Sequence, residues 1–144
     1  MNSFAPNKMT PYPFPATAVQ CTTSTGVNFY APPGFSVSDI AANGATNGLS
    51  GAGAAVGQFG YYDYQRYATG PGEFNFYYDY TPAANIAVGA YLQGAGYSWA
   101  SSAISNSYAA FNSADGATAQ QAQFRNLGIA LASGKATYSC QSHP

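Results

Sequence analysis

Residues 61–96 read YYDYQRYATGPGEFNFYYDYTPAANIAVGAYLQGAG, and they hold the clearest helix signal together with most of the acidic side chains. Asp63, Arg66, Glu73 and Asp79 are four of the chain's nine charged residues, which comprise four basic and five acidic side chains. Because ionisable groups among aromatic rings can have strongly shifted pKa values, this cluster is a candidate catalytic site. The alternative is a surface ion pair on a turn, which would contribute little stability.

The end of this stretch predicts a helix with a buried body. Thr81 is expected as its N-cap, and Pro82 in its first turn. Alanines and larger apolar residues fill the following turns, and Gly94 and Gly96 are expected to end the helix. Glu73 and Asp79 therefore come just before an element that can hold them rigidly.

The whole sequence predicts a mainly α, compact single domain with a small β element and an extended Pro-rich N-terminal arm. A length of 144 residues suits one domain with a real core. Residues 1–17 carry four prolines and form the expected arm or linker, and residues 18–144 form the globular domain. Strands are expected within 18–31 and 74–80, and helices at 98–111, at 118–133 and after a cap at Ser36 or Ser38.

The helical periodicity also predicts a core, which comprises Leu92, Ile104, Phe111, Leu127 and Leu131. Arg125 is expected to point away from this apolar stripe. The charge-free stretch 40–60 contains two Gly-x-x-x-Gly patterns, which are typical of closely packed helices. It lacks large apolar residues, so a loop and a short helix packed through glycines is the favoured interpretation, with membrane insertion as the alternative.

Charge and cysteine content restrict the function. A net charge of −1 and four scattered basic residues do not favour nucleic-acid binding, which usually requires a basic face. A neutral, hydroxyl-rich partner such as a glycan, or a protein surface, fits better. Cys21 and Cys140 are expected to form a disulfide, which implies an oxidising compartment, although two unbonded thiols remain the alternative. The single histidine, His143, does not favour a zinc site or a histidine-based triad, and no cofactor is expected.

The N-terminal residues contain no apolar signal-peptide core. Because a disulfide-bonded protein needs a route out of the cytoplasm, the chain is expected either to use another export route or, preferably, to be the C-terminal domain of a larger secreted protein.

Because charged residues are so few, those that cluster identify the candidate site. Glu73, the only glutamate, is flanked by phenylalanines and is the expected general acid, held protonated near neutral pH. Asp79 or Asp63 is the expected ionised partner. Arg66 is expected to orient one carboxylate. The expected substrate-binding residues are Asn75, Tyr78 and Gln93, and no metal ligand is assigned.

Four segments in order resemble a known family: VNFYAPPG at 27–34, YDYQR at 62–66, GEFNFYY at 72–78, and TPAANIAVGAYLQGAGYS at 81–98. Together they are similar to the bacterial polymorphic toxin type 44 domain, which forms C-terminal tips of Rhs and related secreted antibacterial proteins. The resemblance implies a mainly helical toxin domain, a carrier upstream, a cognate immunity protein and an RNase activity. By position, Asp63 and Asn75 fall in its motif blocks.

Four functions therefore remain open. The favoured one is an antibacterial effector that cleaves peptidoglycan glycan strands in the periplasm of the target cell, as a muramidase of the hydrolase or lytic-transglycosylase type. A nuclease toxin is the second; its metal-dependent form would need Asp63, Glu73 and Asp79. A membrane-inserting toxin and a non-enzymatic binding module are the others.

Overall fold

A computed structural model of the protein describes residues 8–11, 17–57, 60–71, 73–96 and 119–142. In chain order its elements are β1 (Lys8–Pro11), β2 (Val19–Thr23), β3 (Asn28–Ala31), α1 (Val37–Asn47), α2 (Ala52–Val56), β4 (Arg66–Gly70), β5 (Glu73–Phe76), α3 (Thr81–Gly94), α4 (Ala119–Ala132) and β6 (Tyr138–Ser142). Helices hold more of these residues than strands do, so the predicted mainly α fold with a small β component is confirmed. The predicted helix at 98–111 lies outside the described residues.

Helix α3 is the centre of the core, because nine of its 14 residues are buried and both α1 and α4 pack on it. Two glycines bring α1 and α3 into backbone contact. An added Cβ on Gly44 would overlap the carbonyl oxygen of Tyr91, and one on Gly94 would overlap that of Ala41. The predicted close packing of stretch 40–60 through its glycines is therefore present at Gly44.

A second reciprocal pair of glycines joins α3 to α4. A Cβ on Gly89 would overlap the carbonyl oxygen of Arg125, and a Cβ on Gly128 would overlap that of Ile86. Two helices can approach this closely only where neither carries a side chain, so these glycines set the distance between α3 and α4.

The prediction for Arg125 is wrong. Its side chain is only 1 % exposed, and its Nη1 donates a hydrogen bond of 2.9 Å to Oδ1 of Asn85 on α3. Burial lowers the pKa of the guanidinium, because the charged form loses hydration. The close approach of the two helices carries the long Arg125 side chain into their interface, where Asn85 supplies an acceptor. Of the predicted core, Leu92 and Leu131 are buried and Leu127 is partly buried, whereas Ile104 and Phe111 lie outside the described residues.

The helix starts match the sequence at α1 but not at α3. Ser36 caps α1, since its Oγ accepts a hydrogen bond from the Asp39 backbone N–H at 3.2 Å. Before α3, residues Tyr78–Tyr80 form a 3₁₀ turn that runs directly into the helix. Thr81 is therefore already helical and is not the N-cap, and the residues at 78–80 are not a strand.

The strands form two three-stranded sheets. In the first, β5 lies between β1, which is parallel to it, and β4, which is antiparallel, so residues 8–11 of the predicted arm extend along the domain. In the second, β2 lies between β3 and β6, both antiparallel. Cys21 and Cys140 are directly opposite each other on β2 and β6, and they form the expected disulfide. Strands β4 and β6 were not predicted.

Candidate functional site

A cleft of about 250 Å³ lies where the second sheet meets the turn before α3, and it is called here the Asp79 cleft. It is formed because β3 packs against the 3₁₀ turn that precedes α3. That turn buries Tyr80, while Tyr78 and Asp79 are exposed. The residues that line the cleft are Gln20, Asn28, Phe29, Tyr30, Tyr78, Asp79 and Pro82.

Strand pairing places the polar side chains of the sheet in this cleft. Gln20 on β2 is directly opposite Tyr30 on β3, so the two side chains leave the sheet on one face. Asn28 is on the same face two residues before Tyr30, and its Oδ1 accepts a hydrogen bond of 2.8 Å from the Thr22 hydroxyl. The cleft therefore combines amide groups, tyrosine rings and one carboxylate, that of Asp79.

Two predicted site residues, Asp63 and Arg66, form an ion pair of the domain interior. Arg66 Nη1 lies 3.1 Å from Oδ1 and 3.0 Å from Oδ2 of Asp63, and the two side chains are only 8 % and 4 % exposed respectively. Gln65 donates a further hydrogen bond to Asp63, and the guanidinium lies 5.4 Å from the ring centre of Phe76. Loss of the Asp63 charge would leave the buried Arg66 guanidinium without its carboxylate partner, so the pair stabilises the start of β4.

Glu73 does not have the apolar enclosure that the sequence predicted. It is the first residue of β5, opposite Gly70 on β4 and Lys8 on β1, and its side chain is exposed. Glu73 lines neither the Asp79 cleft nor the second cleft described below.

The structure therefore separates the predicted site residues into small groups. Tyr78 and Asp79 share a cleft, and Asp63 is paired with Arg66. Asn75 lies half-buried on β5 opposite Tyr67, away from the Asp79 cleft. Gln93 lies near the end of α3, where its Oε1 is buried without a hydrogen-bond partner among the described residues. Of the predicted catalytic carboxylates, Asp79 lines one of the two clefts described here, and Asp63 and Glu73 line neither.

The second cleft, of about 340 Å³, was missed by the sequence analysis and is called here the Asp39 cleft. It lies between the start of α1 and the loop before β4, and Asp39 is its charged residue. The signals that could have revealed it are the Pro32-Pro33-Gly34 break before a capped helix and the tyrosine run that begins at Tyr61. Its lining is Pro32, Pro33, Gly34, Phe35, Ser36, Asp39, Ile40, Tyr61, Tyr62 and Tyr64.

No protein-family model, curated protein or solved structure matches this chain. Within the described part of the chain, no three His, Cys, Asp or Glu side chains converge where they could hold a metal ion. Among the described helices, none combines the length and the apolar character needed to cross a bilayer.

Proposed function

We propose that this chain is an antibacterial effector domain that binds and cleaves peptidoglycan glycan strands in the periplasm of a target cell, with the Asp79 cleft as its site. The observation that carries the proposal is the composition of this cleft, in which two tyrosines, two amides and one carboxylate meet. Sugars present hydroxyl groups to hydrogen-bonding side chains and weakly polar faces to aromatic rings, so this set suits a glycan. Tyr78, which is 53 % exposed, is available at the cleft for such stacking.

The distribution of charge favours a glycan over a nucleic acid. Two of the four basic residues make their contacts inside the domain, since Arg66 is paired with Asp63 and Arg125 is buried between helices. Binding of a phosphate backbone relies on several exposed cations, because they release the counterions of the nucleic acid. Among the described residues, no lysine or arginine lines either of these two clefts.

Asp79 is proposed to act as the single acid–base group of the reaction. It would protonate the leaving glycosidic oxygen while the bond between that oxygen and the anomeric carbon breaks. A hydroxyl of the same sugar would then attack the anomeric carbon and return its proton to Asp79. This intramolecular route, of the lytic-transglycosylase type, needs one protein carboxylate, whereas simple hydrolysis usually employs two.

The disulfide supports a periplasmic site of action, because such bonds persist in oxidising compartments. The resemblance of residues 27–98 to the polymorphic toxin type 44 domain supports an effector role, and it adds an Rhs-type carrier and a cognate immunity protein as proposed partners.

The test is muropeptide release from purified peptidoglycan sacculi. Asp79→Asn keeps the shape of the side chain and removes the acid, so release should fall by about 100- to 10,000-fold. Glu73→Gln is the matched control, because it removes an exposed carboxylate outside the cleft, and it should release muropeptides at the wild-type rate.

Two results would overturn the proposal. One is an Asp79→Asn variant that stays folded and releases muropeptides as fast as the wild type. The other is a wild-type protein that degrades RNA and releases no muropeptide, which would assign the chain to the nuclease class.

A further inference from the structure

We infer that the Asp39 cleft is a second binding site, which takes the protonated amino group of a lysine-type side chain presented by a peptide. This inference is independent of the proposed glycan cleavage, since the Asp39 cleft and the Asp79 cleft share no lining residue.

The walls of the cleft are aromatic and face in different directions. Tyr61 and Tyr62 have ring centres 4.8 Å apart with planes at 83° to each other, and Tyr62 and Tyr64 are 6.2 Å apart at 66°. Phe35 continues the series, 5.9 Å from Tyr64 at 68°. The rings that line the cleft therefore lie at large angles to one another, and aromatic faces attract organic cations.

The charge of the cleft is negative. Asp39 is the only charged residue among the described residues of its lining, and it lies in the first turn of α1. Three N–H groups of this turn donate to acceptors within the domain. Val37 N–H donates to the Tyr138 hydroxyl at 3.0 Å, Asp39 N–H donates to Ser36 Oγ at 3.2 Å, and Ile40 N–H donates to the Ser36 carbonyl at 3.1 Å. The helix start therefore offers few donors to an anion, and the Asp39 carboxylate favours a cation.

The amino acid side chain that matches both features is a lysine-type one. Its ammonium group pairs with the carboxylate and is attracted to ring faces, and its methylene chain contacts the rings as apolar surface. A cleft of about 340 Å³ is at the lower end of small-ligand sites, which measure about 300–1,000 Å³.

The exposure of the rim supports a peptide as the source of this group. Tyr61 is 79 % exposed, so the cleft is open at that side. A free small ligand usually needs most of its surface enclosed to bind well, whereas a peptide needs only the tip of one side chain inserted while its backbone stays outside.

The test is a two-dimensional NMR titration of the oxidised full chain with a short peptide that contains one lysine. The matched probe is the same peptide with its lysine acetylated, which keeps the chain and removes the charge. Saturable shifts of the amide signals around Phe35, Asp39 and Tyr61 are expected with the first peptide and not with the second. Asp39→Asn should weaken binding of the lysine peptide about three- to fivefold, as expected for an exposed ion pair. Glu73→Gln should leave the affinity for this peptide unchanged.

Tyr61→Leu provides a second variant, which removes one wall of the cleft and keeps an apolar side chain at its rim. This variant should bind the lysine peptide about two- to fivefold more weakly, because the cation–π contact is lost. Equal binding of the lysine and acetyl-lysine peptides, or wild-type affinity in either cleft variant, would overturn the inference. Because muropeptide release is measured with variants of the other cleft, failure of this inference and failure of the proposed function are distinguishable.

Discussion

The contact between α3 and α4 predicts that a single methyl group at Gly89 destabilises the protein. The new Cβ of Gly89→Ala would overlap the carbonyl oxygen of Arg125, which belongs to backbone and cannot rotate away. The two helices would have to separate by roughly 1 Å, a gap that forfeits a quarter to a half of the dispersion energy of each contact between them. Overpacking of this kind costs about 1–3 kcal/mol, and the backbone position puts the cost at the upper end.

Alanine also favours the helix more than glycine does, by up to about 1 kcal/mol, which offsets part of this loss. The expected net effect of Gly89→Ala is therefore a loss of about 2 kcal/mol, or about 6–8 °C in Tm for a chain of this length. Gly53→Ala is the matched control, because Gly53 is helical and an added Cβ there meets no atom within 4 Å. It should raise Tm by a few degrees, since its backbone becomes less free in the unfolded state.

Urea unfolding and calorimetry of the oxidised protein measure both effects. A Gly89→Ala variant as stable as the wild type would refute the reasoning, because it would mean that α3 and α4 do not meet at this glycine.

Two other predictions concern charge and protonation inside the domain. Asp63→Asn should lower the free energy of unfolding by about 3–5 kcal/mol, because Arg66 then remains buried without its partner, and an unchanged urea midpoint would contradict this. Burial raises the pKa of Tyr64, Tyr80 and Tyr91 above the ordinary value of 10.0, so the folded state holds these protons more tightly than the unfolded state does. The stability that results from this difference is fully present below pH 10 and is lost as the pH rises through the raised pKa values. The urea midpoint should therefore fall above pH 10. A urea midpoint that stays constant above pH 10 would show that these hydroxyls are hydrated.

Local signals in the sequence predicted the helices well. The proline at 82 and the glycines at 94 and 96 placed α3 to within a residue at its start, and Ser36 marked the start of α1. These features depend on backbone conformation and hydrogen bonding within a few residues, which the sequence displays directly. Thr81 was misplaced as a cap because a 3₁₀ turn before a helix has no distinctive sequence signature.

Features that depend on distant pairing were not predictable. Strand β4 and strand β6 exist because β5 and β2 lie beside them, and nothing in their own composition required it. Likewise, Arg125 was expected to point away from the apolar stripe, since the sequence could not reveal that the two glycines of the α3–α4 contact bring it beside Asn85.

The candidate site shows the same division. Scarcity of charge directed attention to Asp63, Glu73 and Asp79, and one of the three faces a cleft. The partners of Asp79 come from β2 and β3, about fifty residues away in the sequence, and only the packing of β3 on the turn at 78–80 brings them together. The sequence therefore identified a residue that lines a cleft, but not the residues around it.

The most direct test of the account is an NMR titration of the oxidised protein with an oligosaccharide of N-acetylglucosamine, a fragment of the glycan strand. Saturable amide shifts are expected at Gln20, Asn28, Tyr78 and Asp79, four of the residues that line the Asp79 cleft. Tyr78→Ala should reduce the size of these shifts at equal sugar concentration, because a stacking surface is lost. An absence of saturable shifts, or shifts confined to the Asp39 cleft, would contradict the assignment of glycan binding to the Asp79 cleft.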